Sequence, residues 1–204
     1  MKKAICKAIL RMAGWRLGPT SGVELPKCVI CVAPHTSNWD FIIGKLFYTS
    51  IGCDASFLIK KEWFFFPFNL LFNWLGGVPI DRGKQTSVTD QMAERFRASE
   101  RFQLAITPEG TRKRAEEWKK GFYYIALKAN VPILVACIDY GKKEAGIKTV
   151  FHPTGDAERE IRAIREMYRG ATACHPENFA QVWRRSPALF PSRRKGGRIT
   201  SVWE

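Results

Sequence analysis

The sequence predicts a single α/β domain with a mostly parallel central sheet flanked by helices. Three observations lead to this fold class. Short apolar runs rich in β-branched residues alternate with longer runs of helical periodicity. Such alternation is typical of parallel strands joined by crossover helices. The 204 residues show no internal repeat or linker, and 46% of them are hydrophobic, which is enough for one core.

Predicted strands and helices follow one another along the whole chain. The strands cover residues 28–33, 55–59, 78–80, 103–107, 131–138 and 148–152. The clearest helices cover residues 37–51, 87–100, 119–130 and 156–168. In sheets of this type, ligands bind beyond the carboxyl ends of the strands. The residues that follow the strands at 28–33 and 103–107 are therefore expected at one rim of the sheet.

The N-terminal region, residues 1–16, predicts a basic amphipathic helix. Its apolar stripe comprises Ile5, Ile9 and Met12, and its basic residues are Lys3, Lys7 and Arg11. The pattern fits a helix lying in a membrane interface and equally a terminal helix packed on the core. Because Lys7 and Arg11 interrupt the apolar run, it is not interpreted as a signal peptide.

Charge is the unusual feature of the composition. Lys and Arg total 33 against 19 Asp and Glu, which gives a net charge of +14. This excess indicates a polyanionic partner, either nucleic acid or a membrane surface rich in acidic lipids. Residues 184–204 form a basic C-terminal tail that contains several Pro and Gly residues. Each basic residue of such a tail contributes about 1 kcal/mol beside an anionic leaflet.

Six cysteines are present, and two of them, Cys28 and Cys31, lie within one predicted strand. Side chains alternate between the two faces of a strand, so this pair should point in opposite directions. Buried free thiols are therefore expected rather than a metal or redox pair. With no signal peptide, we expect reduced cysteines, a cytoplasmic protein and no bound metal.

A charge-free aromatic stretch spans residues 63–75. A helix of that length reaches about 20 Å, short of the roughly 30 Å hydrocarbon core of a membrane. The stretch is therefore either a core helix or an apolar surface for acyl chains or lipid, and the basic chain ends favour the second. The aromatic residues assigned to acyl-chain or membrane contact are Trp63, Phe64, Phe65, Phe66, Phe68, Phe72 and Trp74.

His35 and Asp40 are the most informative pair of residues. A histidine beside a carboxylate is the usual general base near neutral pH. Five helical residues would separate the two side chains by about 140° around the axis, so His35 must precede the helix. Pro34 disfavours helix, and Ser37 is a good N-cap. Asp40 then also completes a capping box, so capping and catalysis remain two interpretations of this carboxylate.

Four sequence blocks in order resemble those of the glycerolipid acyltransferases of the lysophosphatidic-acid acyltransferase type. The blocks are His35-x4-Asp40, Gly76-x3-Ile80-Asp81-Arg82, Pro108-Glu109-Gly110-Thr111-Arg112 and Val131-Pro132-Ile133. Each block is weak alone, but four in order over residues 29–138 are specific. Lys60-Lys61-Glu62 also resembles the Lys-x-Glu element of the family. Pro34 departs from the family, which commonly has Asn before the histidine.

The resemblance implies an O-acyltransferase in which His35 deprotonates an acceptor hydroxyl while Asp40 orients the imidazole. No covalent acyl-enzyme and no bound cofactor are implied. Arg82 and Arg112 would hold an anionic headgroup, most simply the phosphate of 1-acylglycerol-3-phosphate. The other residues assigned to substrate binding are Glu109, which would orient an arginine or a hydroxyl, and Gly110, Thr111 and Lys60.

The same resemblance implies a lysophospholipid, an acyl thioester and an anionic membrane surface as partners. The donor would be acyl-CoA or acyl-ACP, the latter making acyl carrier protein a partner. We expect peripheral, monotopic attachment to the cytoplasmic face of the inner membrane. Two alternatives stay open: another acceptor such as a lyso-aminolipid, and a basic nucleic-acid-binding module. The sequence carries no helix-turn-helix, zinc or RNA-binding signature for the second.

Overall fold

The computed structural model describes residues 1–81 and 87–180. Within these residues the chain forms one seven-stranded sheet and six α-helices. The strands are β1 (Arg16–Thr20), β2 (Lys27–Ala33), β3 (Ser56–Lys60), β4 (Gly77–Ile80), β5 (Phe102–Ile106), β6 (Ile133–Asp139) and β7 (Glu144–Phe151). The helices are α1 (Lys2–Met12), α2 (Asn38–Ser50), α3 (Phe68–Leu75), α4 (Val88–Ala98), α5 (Gly121–Ala129) and α6 (Ala157–Glu166).

The strand order is β1-β7-β6-β2-β5-β3-β4. Every neighbouring pair is parallel except β6 and β7, which are antiparallel. Strands β6, β2, β5, β3 and β4 therefore run in one direction, and their carboxyl ends form one rim. The predicted α/β fold class with a mostly parallel sheet is confirmed.

Helices cover both faces of the sheet and create two hydrophobic clusters. Helices α4, α5 and α6 pack on one face, and α1 and α2 pack on the other. Strand β2 serves both clusters, with Cys31 on the first face and Cys28 on the second. Both thiols are free and buried, as expected from the alternation along the strand. Burial raises the pKa of each to about 12.

Two elements differ from the sequence prediction. Strand β1 was not predicted because Gly18 and Pro19 lie within it, and both residues are poor strand formers. Its place at the edge of the sheet explains why the proline is tolerated. Strand β7 begins at Glu144, four residues before the predicted start. Among the predicted features, Arg82 and the basic tail at 184–204 lie outside the described residues.

One side of helix α1 packs on the core, and its predicted apolar stripe is exposed. Leu10 is buried against α2 and the sheet, so the helix does pack on the core. Ile5, Ile9 and Met12 nevertheless remain exposed, with Met12 80% accessible. No helix of the described ranges has both the length and the apolar character needed to cross a membrane.

Candidate active site

Three loops meet at the carboxyl ends of adjacent parallel strands. His35 follows β2 by two residues, Glu109 follows β5 by three, and Tyr140 directly follows β6. Strand β2 lies between β5 and β6. The loop that carries His35 is therefore flanked by the loops that carry Glu109 and Tyr140. This is the edge at which open parallel sheets bind ligands.

His35 and Asp40 are in contact. The imidazole Nδ1 of His35 lies 3.3 Å from Oδ2 of Asp40. Helix α2 begins after its N-cap Ser37, so His35 is on the preceding loop and turns back toward the carboxylate. The predicted capping box is also present, because Asp40 accepts the backbone N–H of Ser37. One carboxylate thus caps the helix and faces the imidazole.

Asp40 is almost fully buried, and both of its oxygens have donors. Oδ2 accepts backbone N–H bonds from Thr36 at 2.7 Å and Ser37 at 2.8 Å. Oδ1 accepts the hydroxyl of Tyr140 at 2.7 Å. Burial alone would raise the pKa of Asp40, but hydrogen bonds from His35, Tyr140 and the two backbone groups outweigh it and hold the pKa below its ordinary value. Asp40 therefore stays ionised near neutral pH.

Glu109 holds the main chain of His35. Its Oε2 accepts the backbone N–H of His35 at 2.7 Å, whereas Oε1 is buried and has no hydrogen-bond partner within the described chain. Burial raises the pKa of Glu109 to about 7, opposed by this hydrogen bond and assisted by the nearby charge of Asp40. The sequence had suggested an arginine or a substrate hydroxyl as its partner; the observed contact is with the His35 backbone.

The Gly110 turn presents cations to the same rim. Gly110 has φ of +64°, a conformation that favours glycine. The aliphatic chain of Lys119 lies directly against the position that a Gly110 side chain would occupy. Thr111 accepts the backbone N–H of Lys113 at 3.2 Å, and the guanidinium of Arg112 donates to the side-chain oxygen of Asn38. Arg112 is thereby held beside the start of α2.

A cavity of about 1230 Å³ opens at this rim. His35, Asp40 and four of the predicted binding residues, namely Lys60, Gly110, Thr111 and Arg112, line it. It continues beneath α2 along the sheet, where its walls are largely apolar. The apolar part is lined by Ile30, Val32, Gly44, Phe47, Tyr48, Ala136 and Ile138. The space therefore has a polar, cationic mouth and an apolar interior.

The aromatic segment, residues 63–74, lies outside that cavity. Among the described residues, none of its seven aromatic side chains belongs to a residue that lines the cavity. Five of them are exposed, including Phe66 at 77% and Trp74 at 72%, and α3 has no buried residue. The ammonium of Lys2 lies 5.9 Å from the Trp74 ring, so α1 and α3 are adjacent. The exposed apolar residues of both helices are therefore close together.

Three residues of the site, Tyr140, Thr36 and His175, were not predicted. Tyr140 and Thr36 have no motif signal, and each acts through a partner distant in sequence. Thr36 is buried, and its hydroxyl accepts the backbone N–H of His175 at 3.0 Å. His175 also lines the cavity. The one sequence signal for Tyr140 is the apolar run of β6 directly before it, which indicates a residue at the carboxyl end of a strand.

Comparison with known proteins identifies the family. The model of the family described as Acyltransferase matches residues 22–139, more than half of the chain. The chain therefore belongs to the acyltransferase family, and the family resemblance inferred from the four motifs is confirmed.

One solved structure is similar in fold: the 1-acyl-sn-glycerophosphate (LPA) acyltransferase PlsC from Thermotoga maritima. The TM-score is 0.54 at 19% sequence identity, over 84% of this chain and 80% of the other. No curated protein matches the chain in sequence. The shared fold places this chain in the same architectural group as that enzyme.

Proposed function

We propose that this acyltransferase moves a fatty acyl group from an acyl thioester to the free hydroxyl of a lysophospholipid at a membrane surface. The acceptor proposed is 1-acylglycerol-3-phosphate. The observation that carries the proposal is the His35–Asp40 pair at the mouth of a cavity that is cationic outside and apolar inside. A base, an anion site and an acyl site are the three parts this reaction needs.

His35 is the proposed general base. Its Nδ1 faces Asp40, which leaves Nε2 to accept the proton of the acceptor hydroxyl. As that oxygen attacks the thioester carbonyl, the proton passes to Nε2, and the ionised Asp40 stabilises the imidazolium. The tetrahedral intermediate then expels the thiolate, which takes the proton from His35 and leaves as the thiol. Positioned general-base catalysis contributes about 10²–10⁴-fold.

The reaction needs no protein nucleophile. Cys137 lines the cavity, but burial raises the pKa of its thiol, and the thiolate is the reactive form. Direct attack by the acceptor hydroxyl is therefore the proposed route.

The cations at the mouth support an anionic acceptor. Arg112 is exposed, lines the cavity and is oriented by Asn38. The planar guanidinium can bind two phosphate oxygens at once. Lys60 ends the neighbouring strand β3 and lines the same mouth. Arg82 lies outside the described residues; it comes two positions after β4 in the sequence and is proposed as the second arginine for the phosphate.

The apolar interior of the cavity is the proposed site of the acyl chain. Each methylene removed from water there contributes about 0.8 kcal/mol. The aromatic segment 63–74 is assigned instead to the membrane, since it is exposed and lies outside the cavity. Beside it, α1 adds three exposed apolar residues and a basic side, the composition of an interfacial helix.

This arrangement supports peripheral, monotopic attachment, with the cytoplasmic face of the inner membrane as the proposed location. The lysophospholipid would enter from the leaflet, and the acyl thioester would arrive from the aqueous side. The proposed donor is acyl-CoA or acyl-ACP, both of which carry anionic groups that the basic mouth would attract.

The test is acyl transfer by purified protein with labelled acyl-CoA, acyl-ACP and a panel of lysolipids. The panel includes 1-acylglycerol-3-phosphate, a lyso-aminolipid and a non-phosphorylated monoacylglycerol. His35→Ala and Asp40→Asn should each abolish transfer while the protein remains folded. His152→Ala is the matched control, because His152 is exposed and does not line the cavity. Full activity of the His35 variant would exclude the proposed base.

Arg112→Lys tests the acceptor site separately. It keeps the charge but removes the two-pronged geometry, so the KM for the phosphorylated acceptor should rise while the KM for the donor stays the same. Arg97→Lys is the control, since Arg97 pairs with Glu94 on the exposed side of α4. Equal rates with the non-phosphorylated acceptor would contradict the assignment of an anion site.

A further inference from the structure

We infer that Tyr140 is a positioning residue of the active site, whose hydroxyl fixes the Asp40 carboxylate so that its other oxygen faces His35. The inference deepens the proposed function and rests on it. Tyr140 lies one residue beyond the segment that matches the family, and none of the four motifs includes it.

The geometry around Asp40 carries the inference. Two backbone N–H groups and the imidazole all approach Oδ2. Oδ1 instead accepts the Tyr140 hydroxyl at 2.7 Å. A carboxylate held through one oxygen alone can still rotate about its Cβ–Cγ bond. The hydroxyl on Oδ1 opposes that rotation and keeps Oδ2 directed at Nδ1 of His35.

Tyr140 is itself held on several sides. Its ring packs edge-on against Trp15, with centroids 5.0 Å apart and planes at 87°. Its backbone N–H donates to the carbonyl of Thr172 at 2.9 Å. Burial, followed by the hydrogen bond and negative charge of Asp40, raises the pKa of its hydroxyl. The hydroxyl therefore keeps its proton and remains a donor. These contacts make Tyr140 a fixed support rather than a substrate contact.

The test compares Tyr140→Phe with Tyr123→Phe. Tyr123 offers a matched control, because its hydroxyl also meets a buried carboxylate at 2.7 Å, that of Glu160, and it does not line the cavity. Tyr140→Phe should lower kcat about 10-fold or more and leave KM for both substrates unchanged. Tyr123→Phe should leave kcat unchanged. An unchanged kcat in Tyr140→Phe, a loss confined to KM, or the same loss in both variants would overturn the inference.

The pH profile gives a readout that a purely structural role would not move. A carboxylate with one donor fewer attracts the imidazole proton more strongly, so the acid limb of the kcat profile should shift to higher pH in Tyr140→Phe. The titratable groups that interact with Asp40 or Tyr140 are His35, Glu109 and Cys174. Tyr140→Phe is therefore also combined with Glu109→Gln and with Cys174→Ala. If the acid limb still shifts in both combinations, the shift is due to the loss of the Tyr140 hydroxyl. A shift that vanishes in either combination would contradict the inference.

Nitrogen NMR of the His35 imidazole provides a measurement independent of acyl transfer. The chain has three histidines, and His35→Ala assigns the signal. The titration midpoint of His35 should rise in Tyr140→Phe and not in Tyr123→Phe. If the unmodified protein forms no product with any acceptor of the panel, the proposed function fails. The titration midpoint of His35 still tests the positioning role of Tyr140 in that case. If Tyr140→Phe does not fold, 3-fluorotyrosine at position 140 makes the hydroxyl a stronger donor and should lower the midpoint. A midpoint that does not move would overturn the inference.

Discussion

The Oε2 atom of Glu109 accepts the backbone N–H of His35 at 2.7 Å, across 74 residues of sequence. Two carboxyl groups therefore hold His35, with Asp40 on the imidazole and Glu109 on the main chain. The two ionise in different pH ranges, because the pKa of Asp40 is lowered while burial raises that of Glu109 to about 7. A neutral Glu109 still accepts the bond through its carbonyl oxygen.

This difference predicts a pH dependence of stability. A carboxyl whose folded pKa is raised stabilises the fold at low pH, and the contribution is lost as pH rises through the folded pKa. The free energy of unfolding should fall by up to about 3 kcal/mol between pH 4.5 and pH 7. Glu109→Gln keeps an acceptor for His35 but cannot ionise, so it should lack this slope.

Urea unfolding between pH 4.5 and 7.5 measures the slope. Glu94→Gln is the control, since Glu94 is an exposed partner of Arg97. This variant should show the same dependence of unfolding free energy on pH as the unmodified protein. Parallel curves for the unmodified protein and Glu109→Gln would show that Glu109 does not titrate in this range.

Gly110→Ala should reduce both stability and acyl transfer. An alanine at φ of +64° costs roughly 1–2 kcal/mol, and its methyl group would meet the Lys119 side chain at 2.6 Å. The turn must shift, and Arg112 shifts with it. Gly170→Ala is the matched control, because Gly170 also has positive φ, +78°, but nothing lies within 4 Å. It should lose similar stability without losing rate; equal rate losses would mean that strain alone is responsible.

Membrane binding should depend on the exposed aromatic side chains. Phe66→Ser and Trp74→Ser remove residues that are 77% and 72% exposed, so binding to vesicles with anionic lipid should fall several-fold while the circular dichroism spectrum stays the same. Tyr124→Ser is the control, since Tyr124 is a 44% exposed aromatic residue on α5. Flotation of vesicles measures the bound fraction. If both variants bind vesicles as well as the unmodified protein does, the aromatic segment is not the membrane contact.

Acyl-chain length should depend on Gly44. This residue lies on α2 and lines the apolar part of the cavity, and a methyl group there would contact Ile138 at 3.6 Å. Gly44→Leu should fill that space and favour shorter acyl donors, by about fourfold for each methylene that is excluded. Gly44→Ala makes only ordinary contact and serves as the control. Competition between donors of different length measures the preference, and an unchanged ratio in Gly44→Leu would place the acyl chain elsewhere.

Local sequence signals were enough to predict much of the fold and part of the site. Pro34 and Ser37 placed His35 on a loop and Asp40 in the first helical turn, because these residues act on their immediate neighbours. Alternation of strands and helices predicted the parallel sheet in the same way.

The remaining features depend on contacts between distant residues. Strand β1 exists because it pairs with β7, which overrides the unfavourable Gly18 and Pro19. Tyr140 meets Asp40 across 100 residues, and the partner of Glu109 is a backbone group with no sequence signature. Composition alone does not determine which side of a helix is covered, so the exposed position of the aromatic segment was favoured only by the basic chain ends.

Trp15 lies three residues beyond α1 and packs edge-on against Tyr140. The segment that joins the outer helix to the sheet therefore also supports, through Tyr140, the carboxylate of Asp40 that is proposed to act in catalysis. A truncation that removes the first fifteen residues would also remove Trp15. Tyr140 would then lose the ring that packs against it, and the support of Asp40 would weaken. Exchanging the exposed apolar side chains one at a time, with Trp15 retained, is the better route to a soluble and active form.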